Sequence, residues 1–353
     1  MGDNRLIALT EVLDSGKDLG VDDISEVVAA LTEASEDLET KGVFLHAWHL
    51  KGESVEEVSL LAEAFRQRAT KPSSEVLAIA KRGLDFVGTG GDHSNAFNLS
   101  TGVCLILASG GIPILKHGNR GATTASGTAD MQDALGFKAP LEGDAFLKVL
   151  EQQNFSFFFA PAYHPAFKHI VPVRKALAAK GKRTVFNILG PLINPAQPAF
   201  QVLGVYDKKW VKPLAESLTR LGRKRGLVIH GETPEGQAVD KAITAGKTYY
   251  EGVGELAGQT GEWRAEDFGF TQCPFSQLTS GTPAENAAKL GSILAGDKTT
   301  GLYDTLCLNA GIGLWATGSV SDVASGIEQV KTCLDTGVTE RWLKDTQALF
   351  ASL

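Results

Sequence analysis

Apolar positions near the start of the chain recur with a helical period. Ile24, Val27, Val28 and Leu31 fall at i, i+3, i+4 and i+7, one face of an amphipathic helix. Ser54 and Glu57 form a capping box ahead of a second such face, Val58, Leu61, Ala62 and Phe65. No strand pattern occurs here, so residues 1–72 read as a small all-helical domain ending in the linker "TKPSSE" with Pro72. From residue 84 the pattern changes to short apolar runs: "DFVG", "IPIL", "FSFFFA", "VLGVY" and "GLVIHG". Gly, Pro or polar loops bound them and helical segments separate them, which indicates βα units around a buried sheet. The predicted fold class is therefore α/β: a small N-terminal all-helical domain plus a larger α/β domain with a central, mainly parallel sheet. The larger domain takes residues 84–165 and 187–353, while the helical stretch 166–186 is expected to rejoin the first domain.

Composition narrows the function class. The chain has 353 residues, 43% hydrophobic and 21% charged, which suits a globular protein with a sizeable core and about two domains. Its net charge of −7 argues against a nucleic-acid binder, which normally presents a basic face. Cys104, Cys273, Cys307 and Cys333 are far apart and form no C-x-x-C pair, so neither a disulfide framework nor a zinc site is expected. The start "MGDNRLIALTEVL" lacks the basic and apolar regions of a signal peptide, and no apolar run reaches the ~20 residues of a membrane helix. A reduced, cytoplasmic protein is expected.

The candidate chemistry begins at "FVGTGGDHSNAFNLSTG", with four glycines between Phe86 and Gly102. Ligands of open α/β sheets bind at the carboxyl ends of strands, and the loop Gly88–Gly91 follows a strand ending at Val87. Asn98, Ser100 and Thr101 sit where the next helix starts, with Ser100 or Thr101 as its N-cap. Free N–H groups and a positive helix end make an anion site suited to phosphate. An ordinary glycine-rich turn is the competing reading, because short glycine motifs are weak signals. A second loop repeats the arrangement. The strand Ile112–Leu115 leads to Lys116, His117, Gly118, Asn119 and Arg120, then Thr123, Thr124, Ser126 and Thr128 at another helix start. Two cations, an amide and four hydroxyls beside the first loop read as a polyphosphate cradle. In "APAYHPAFKHIVPVRKAL", His164 and His169 read as helix-end residues, whereas Arg174 offers a planar fork suited to a carboxylate. Asn187, Gly190, Pro191 and Asn194 read as turn chemistry.

"VGTGGD", "NLST", "KHGNR", "SGTADMQDALG", "FAPAYHPAFKHIVPVRKAL" and "FNILGPLINP" occur in this order across nearly the whole chain. In order and spacing they resemble the anthranilate phosphoribosyltransferase family, with its glycosyltransferase family 3, nucleoside phosphorylase-like fold. The resemblance implies a magnesium-dependent enzyme of tryptophan biosynthesis that transfers the 5-phosphoribosyl group of phosphoribosyl pyrophosphate to the amine of anthranilate. It implies Gly88, Gly91, Asp92, Asn98, Ser100, Thr101, Lys116, His117, Gly118, Asn119, Thr124 and Thr128 for the donor. Gly88, Asn119 and Arg174 would hold anthranilate, and Ser100 and Asp240 would ligate magnesium. No general base is assigned. The resemblance also implies a homodimer through the helical domain. Thymidine phosphorylase, a fold relative, follows a different loop pattern.

The sequence departs from the family at one chemically important place. Where the family carries an adjacent Asp-Glu pair that binds magnesium, this chain reads Asp240-Lys241, after a short insertion between Gly231 and Asp240. An ammonium there removes a hard oxygen ligand and raises the local charge by about two units. Glu232, Glu235 and Glu251 are candidates to replace it. Ala96 and Ala125 are smaller departures. Two readings follow: a transferase with an altered metal site, or a paralogue with a changed acceptor or no catalysis.

Overall fold

The structure, a computed structural model, describes residues 5–120 and 127–353. The chain opens with four helices, α1 (Arg5–Asp14), α2 (Val21–Thr32), α3 (Leu38–Lys51) and α4 (Val55–Arg68). Their starts are fixed locally. Asp37 accepts the Thr40 N–H at 2.8 Å, and Ser54 and Glu57 exchange side-chain-to-backbone bonds of 3.3 and 2.8 Å. The two apolar faces read from the sequence point inward: Ile24, Val27, Val28 and Leu31, and Val58, Leu61, Ala62 and Phe65, are all nearly fully buried. Glu57 is buried with them, satisfied by the Lys51 ammonium at 2.8 Å and the Leu19 N–H at 2.9 Å. The ion pair and the hydrogen bonds offset part of the desolvation cost of burying this carboxylate.

A short helix α5 (Ser74–Ala80), capped by Ser73 of the expected linker, leads into the sheet. There follow β1 (Leu84–Gly88), α6 (Leu99–Ser109), β2 (Ile114–Gly118), α7 (Thr128–Ala134), α8 (Gly143–Gln153) and β3 (Phe155–Phe159). Helical pieces α9 (Ala160–Tyr163), α10 (Val171–Ala178) and α11 (Phe186–Leu189) interrupt before β4 (Phe200–Gly204) and α12 (Val211–Arg220). Strands β5 (Arg225–Glu232), β6 (Ala238–Val239), β7 (Lys247–Gly254) and β8 (Thr260–Arg264) complete the sheet. Helices α13 (Pro283–Leu294), α14 (Gly301–Thr317), α15 (Val323–Asp335) and α16 (Val338–Ala351) close the chain.

The sheet order is β3-β2-β1-β4-β5-β7-β8, with β6 paired to β5. β3 through β5 run parallel, and β6, β7 and β8 add antiparallel pairs at one end. The chain therefore steps outward from β1 to β2 and β3, then returns to the other side of β1 for β4 and β5. That reversal opens a crevice at the carboxyl end of β1, where the glycine loop begins.

Strand alternation divides the core between the two faces. Phe86, Val202, Leu227 and Ile229 pack with α6, α14 and α15, while Val87, Leu203 and Val228 pack with α12 and the N-terminal helices. Ile170, Val173 and Leu177, at and just before α10, join the second cluster, with Val173 lying against α3 at Gly42.

Two local expectations shift. The second strand starts at Ile114 rather than Ile112 and continues to Gly118, so Lys116 and His117 stand on β2 itself. Pro113 has no N–H to donate, and the parallel register with β3, Lys116 opposite Phe157, carries the strand to its last residue. The N-cap of α6 is Asn98, not Ser100 or Thr101. Its Oδ1 accepts the Thr101 N–H at 3.3 Å, the Thr101 hydroxyl at 3.0 Å and the Ser100 hydroxyl at 3.2 Å.

Candidate active site

A cavity of about 740 Å³ opens at the carboxyl ends of β1 and β2, beneath the helical segments α9 to α11. Gly88–Asp92 and Lys116–Arg120 line it from the sheet side, and Arg174, Phe186 and Asn187 face them. The cavity thus brings together Gly88, Gly91, Asp92, Asn98, Ser100, Lys116, His117, Gly118, Asn119, Thr128, Arg174 and Asp240. Thr101 is fully buried and does not line the wall, because its hydroxyl and N–H serve the Asn98 cap. Thr123, Thr124, Ala125 and Ser126 lie outside the described residues.

Lys116 is the chief cation of the floor. It is 1% exposed, and its Nζ donates to the Phe86 carbonyl at 2.8 Å and the Ser100 hydroxyl at 3.1 Å. An ammonium has three donors, so one remains for a ligand. Asp85 lies behind it, accepting from Asn194 Nδ2 at 2.9 Å, and burial pushes that carboxyl up to about 6. Asn194 also donates to the Leu115 carbonyl at 2.8 Å, so it braces the strands from within. Arg120 also lines the cavity, with its guanidinium paired to Asp130 and Asp133 at 3.2 and 2.8 Å.

His117 and His164 form an edge-on ring pair 5.2 Å apart in the cavity wall. Burial, and for His117 also the neighbouring imidazole, draws them down to about 3 and 4, so both are neutral in ordinary buffers. Their Nε2 atoms are buried with no partner among the described residues. Sequence reasoning read His164 as a helix-end residue. Its position in the wall depends on the turn between α9 and the following 3-10 helix, where Pro165 keeps His164 out of helical geometry. His169 does not line the cavity.

At the opposite wall Arg174 donates to the Phe186 carbonyl at 3.4 Å and lies 5.6 Å from the Phe186 ring centre. Phe167, Val171 and Ile193 give this end an apolar lining. A guanidinium beside an aromatic, apolar slot suits a flat acid. Arg183, unremarked in the sequence, stacks on Tyr206 at 3.8 Å and donates to the Gly91 carbonyl at 2.8 Å, fixing the glycine loop from behind.

The segment at Asp240 crosses the end of the sheet, over the paired residues Gly88 and Gly204. A methyl group on either glycine would overlap Asp240 atoms, so only glycine permits this approach. Asp240 Oδ2 accepts the Gly90 N–H at 2.8 Å, and the Asp240 N–H donates to Asp92 Oδ2 at 3.0 Å. Lys241 Nζ is bonded to Asp240 Oδ1 and lines the cavity. The extra residues before Asp240 form the β5–β6 hairpin.

These residues can be tested against the implied magnesium. At Asp240 the fit fails: the bonded Lys241 ammonium already neutralises the carboxylate, and no group of three or more acids, histidines or cysteines gathers among the described residues. Glu232, Glu235 and Glu251 do not line the cavity, so none replaces the missing carboxylate there. At Ser100 the fit is good for one ion carried by a phosphorylated ligand. The hydroxyl borders the cavity beside Lys116, and magnesium takes most of its ligands from phosphates and water.

The chain matches the glycosyl transferase family, a/b domain, over residues 80–340. An anthranilate phosphoribosyltransferase of Listeria monocytogenes is 37% identical over 342 residues, 96% of each chain. The crystal structure of the Thermus thermophilus anthranilate phosphoribosyltransferase superposes with a TM-score of 0.86 at 34% identity, covering 97% of this chain and 99% of that one. The Saccharomyces cerevisiae enzyme, solved in complex with PRPP and Mg, gives 0.85 at 25% identity over 99% of both chains. With that extent of identity and a cavity built from the shared motifs, the chain belongs to the anthranilate phosphoribosyltransferase family.

Proposed function

We propose that this protein transfers the 5-phosphoribosyl group of phosphoribosyl pyrophosphate to the amine of anthranilate and releases pyrophosphate. One observation carries the reading. A single cavity has a buried ammonium and a helix N-terminus at one end and a guanidinium beside an aromatic, apolar wall at the other. Lys116, the glycine-loop N–H groups and the start of α6 would take the donor's anionic end. Arg174 would hold the anthranilate carboxylate, with Asn119 and Gly88 bordering the acceptor. An aromatic amine is neutral near pH 7, so the residues need only position it behind the departing diphosphate and oppose the charge that develops. The neutral His117 and His164 rings keep further positive charge away from a ribosyl centre that is itself becoming cationic. Magnesium bound on the donor, with Ser100 as a hydroxyl ligand, would neutralise diphosphate charge. The paralogue reading is not favoured, because the acceptor and donor walls are both present and the relatives carry the enzyme's name.

The test is loss of anthranilate fluorescence on mixing with phosphoribosyl pyrophosphate and Mg²⁺, with equal release of pyrophosphate. Arg174→Gln should raise KM for anthranilate by about 10- to 150-fold, the loss of one charge-assisted contact, and move kcat much less. Donor binding without any anthranilate consumption by the parent protein would leave the paralogue reading standing instead.

The same proposal places residues 1–72 and 166–186 in one helical domain, with 84–165 and 187–353 as the α/β domain, and takes the protein as a cytoplasmic homodimer through the helical part. Ile7, Val21, Leu38, Val43 and Leu50, all in the first three helices, are more than half exposed. Val43 and Leu50 are one heptad apart on α3, an apolar stripe suited to a second copy. Sedimentation equilibrium should give twice the chain mass, and a Val43→Asp/Leu50→Glu variant should sediment as one chain. No helix among the described residues is long and apolar enough to cross a membrane, and the four cysteines are free.

A further inference from the structure

We propose that the Lys241 ammonium takes the place of a divalent cation at the Asp92–Asp240 carboxylates and contacts the donor's diphosphate directly, so that each bound donor brings only one metal ion. The inference deepens the donor-binding reading above and rests on it. Its basis is a set of hydrogen bonds around the two carboxylates. Asp240 offers one oxygen to Lys241 and the other to the Gly90 N–H. Asp92 accepts from the Ser94 N–H at 3.2 Å, the Ser94 hydroxyl at 2.9 Å and the Asp240 N–H at 3.0 Å. Both carboxylates thus already hold protein partners, an ammonium among them, in contacts that hold the glycine loop to the Asp240 segment.

The cation is built to stay. Its Nζ is bonded to Asp240 Oδ1, and the Asp240 N–H ties that residue in turn to Asp92. Its side chain is 13% exposed and that exposed part borders the same cavity as Lys116 and Ser100. One of its three donors serves Asp240, which leaves others for phosphate oxygens. A tethered ammonium cancels one of the two negative charges at every magnesium concentration, whereas a dissociable ion does so only when bound. Donor affinity should then survive metal removal better than a site relying on ions alone.

The experiment pairs a spin-active metal with calorimetry. Mn²⁺ titrated into the protein with saturating phosphoribosyl pyrophosphate, and followed by electron paramagnetic resonance, should bind once per chain in the parent and twice in Lys241→Glu. Calorimetry of the donor in EDTA should show at least ~10-fold weaker binding for Lys241→Met than for the parent. The Met variant decides the matter if the Glu variant does not fold. Two ions in the parent, or equal donor affinity of parent and Lys241→Met in EDTA, would overturn the proposal. Absence of donor binding to the parent even with Mg²⁺ would overturn the donor reading itself, and this inference with it.

Discussion

Between pH 7 and pH 5 the parent protein should lose about 4 kcal/mol more stability than a His117→Gln/His164→Gln variant. Both imidazoles sit far below their unfolded value near 6.5, at about 3 and 4, because burial penalises the imidazolium. Their contribution is fully present above the unfolded pKa. As pH falls below it, the unfolded chain takes up two protons that the folded protein refuses, at about 1.4 kcal/mol per pH unit for each ring. Asp85 and Asp240, whose carboxyls burial pushes up to about 6, titrate in the opposite sense over the same range. Those two carboxyls are common to both proteins, so the difference between them isolates the histidines. Urea unfolding at the two pH values measures it, and parallel stability curves would show that the rings reach water in the folded state.

Lys116→Met should weaken donor binding by about 1.5–3 kcal/mol, roughly 10- to 150-fold, at fixed Mg²⁺. Methionine keeps most of the side-chain volume and removes only the ammonium, which donates to the Phe86 carbonyl and the Ser100 hydroxyl. The same change withdraws a charge that favours ionised Asp85, so a small fall in melting temperature is expected too. Calorimetry with phosphoribosyl pyrophosphate separates these effects, because it reads binding by protein that is still folded. Unchanged affinity would remove Lys116 from the donor site.

The periodicity of Ile24 to Leu31 and the capping box at Ser54 were enough to place α2 and α4, because amphipathic spacing and capping are local interactions. The short apolar runs were enough for a mainly parallel sheet, since strands buried on both faces carry no alternation. The N-cap of α6 was misplaced by two residues, as Asn98, Ser100 and Thr101 all have capping side chains and only the backbone path chooses among them. Lys241 was visible as a departure, but its bond to Asp240 was not.

What the sequence determined by itself was the set of elements and the chemistry of the glycine and lysine loops, whose residue types and spacing act over a few positions. Only the tertiary structure decided that Asp240 lies across Gly88 and Gly204 and that His164 meets His117. It also decided that Arg174 faces the ends of β1 and β2 across one cavity, while Glu232, Glu235 and Glu251 stay outside it. These contacts join residues far apart in the chain, and their geometry is set by how the helices and the sheet pack rather than by any local pattern.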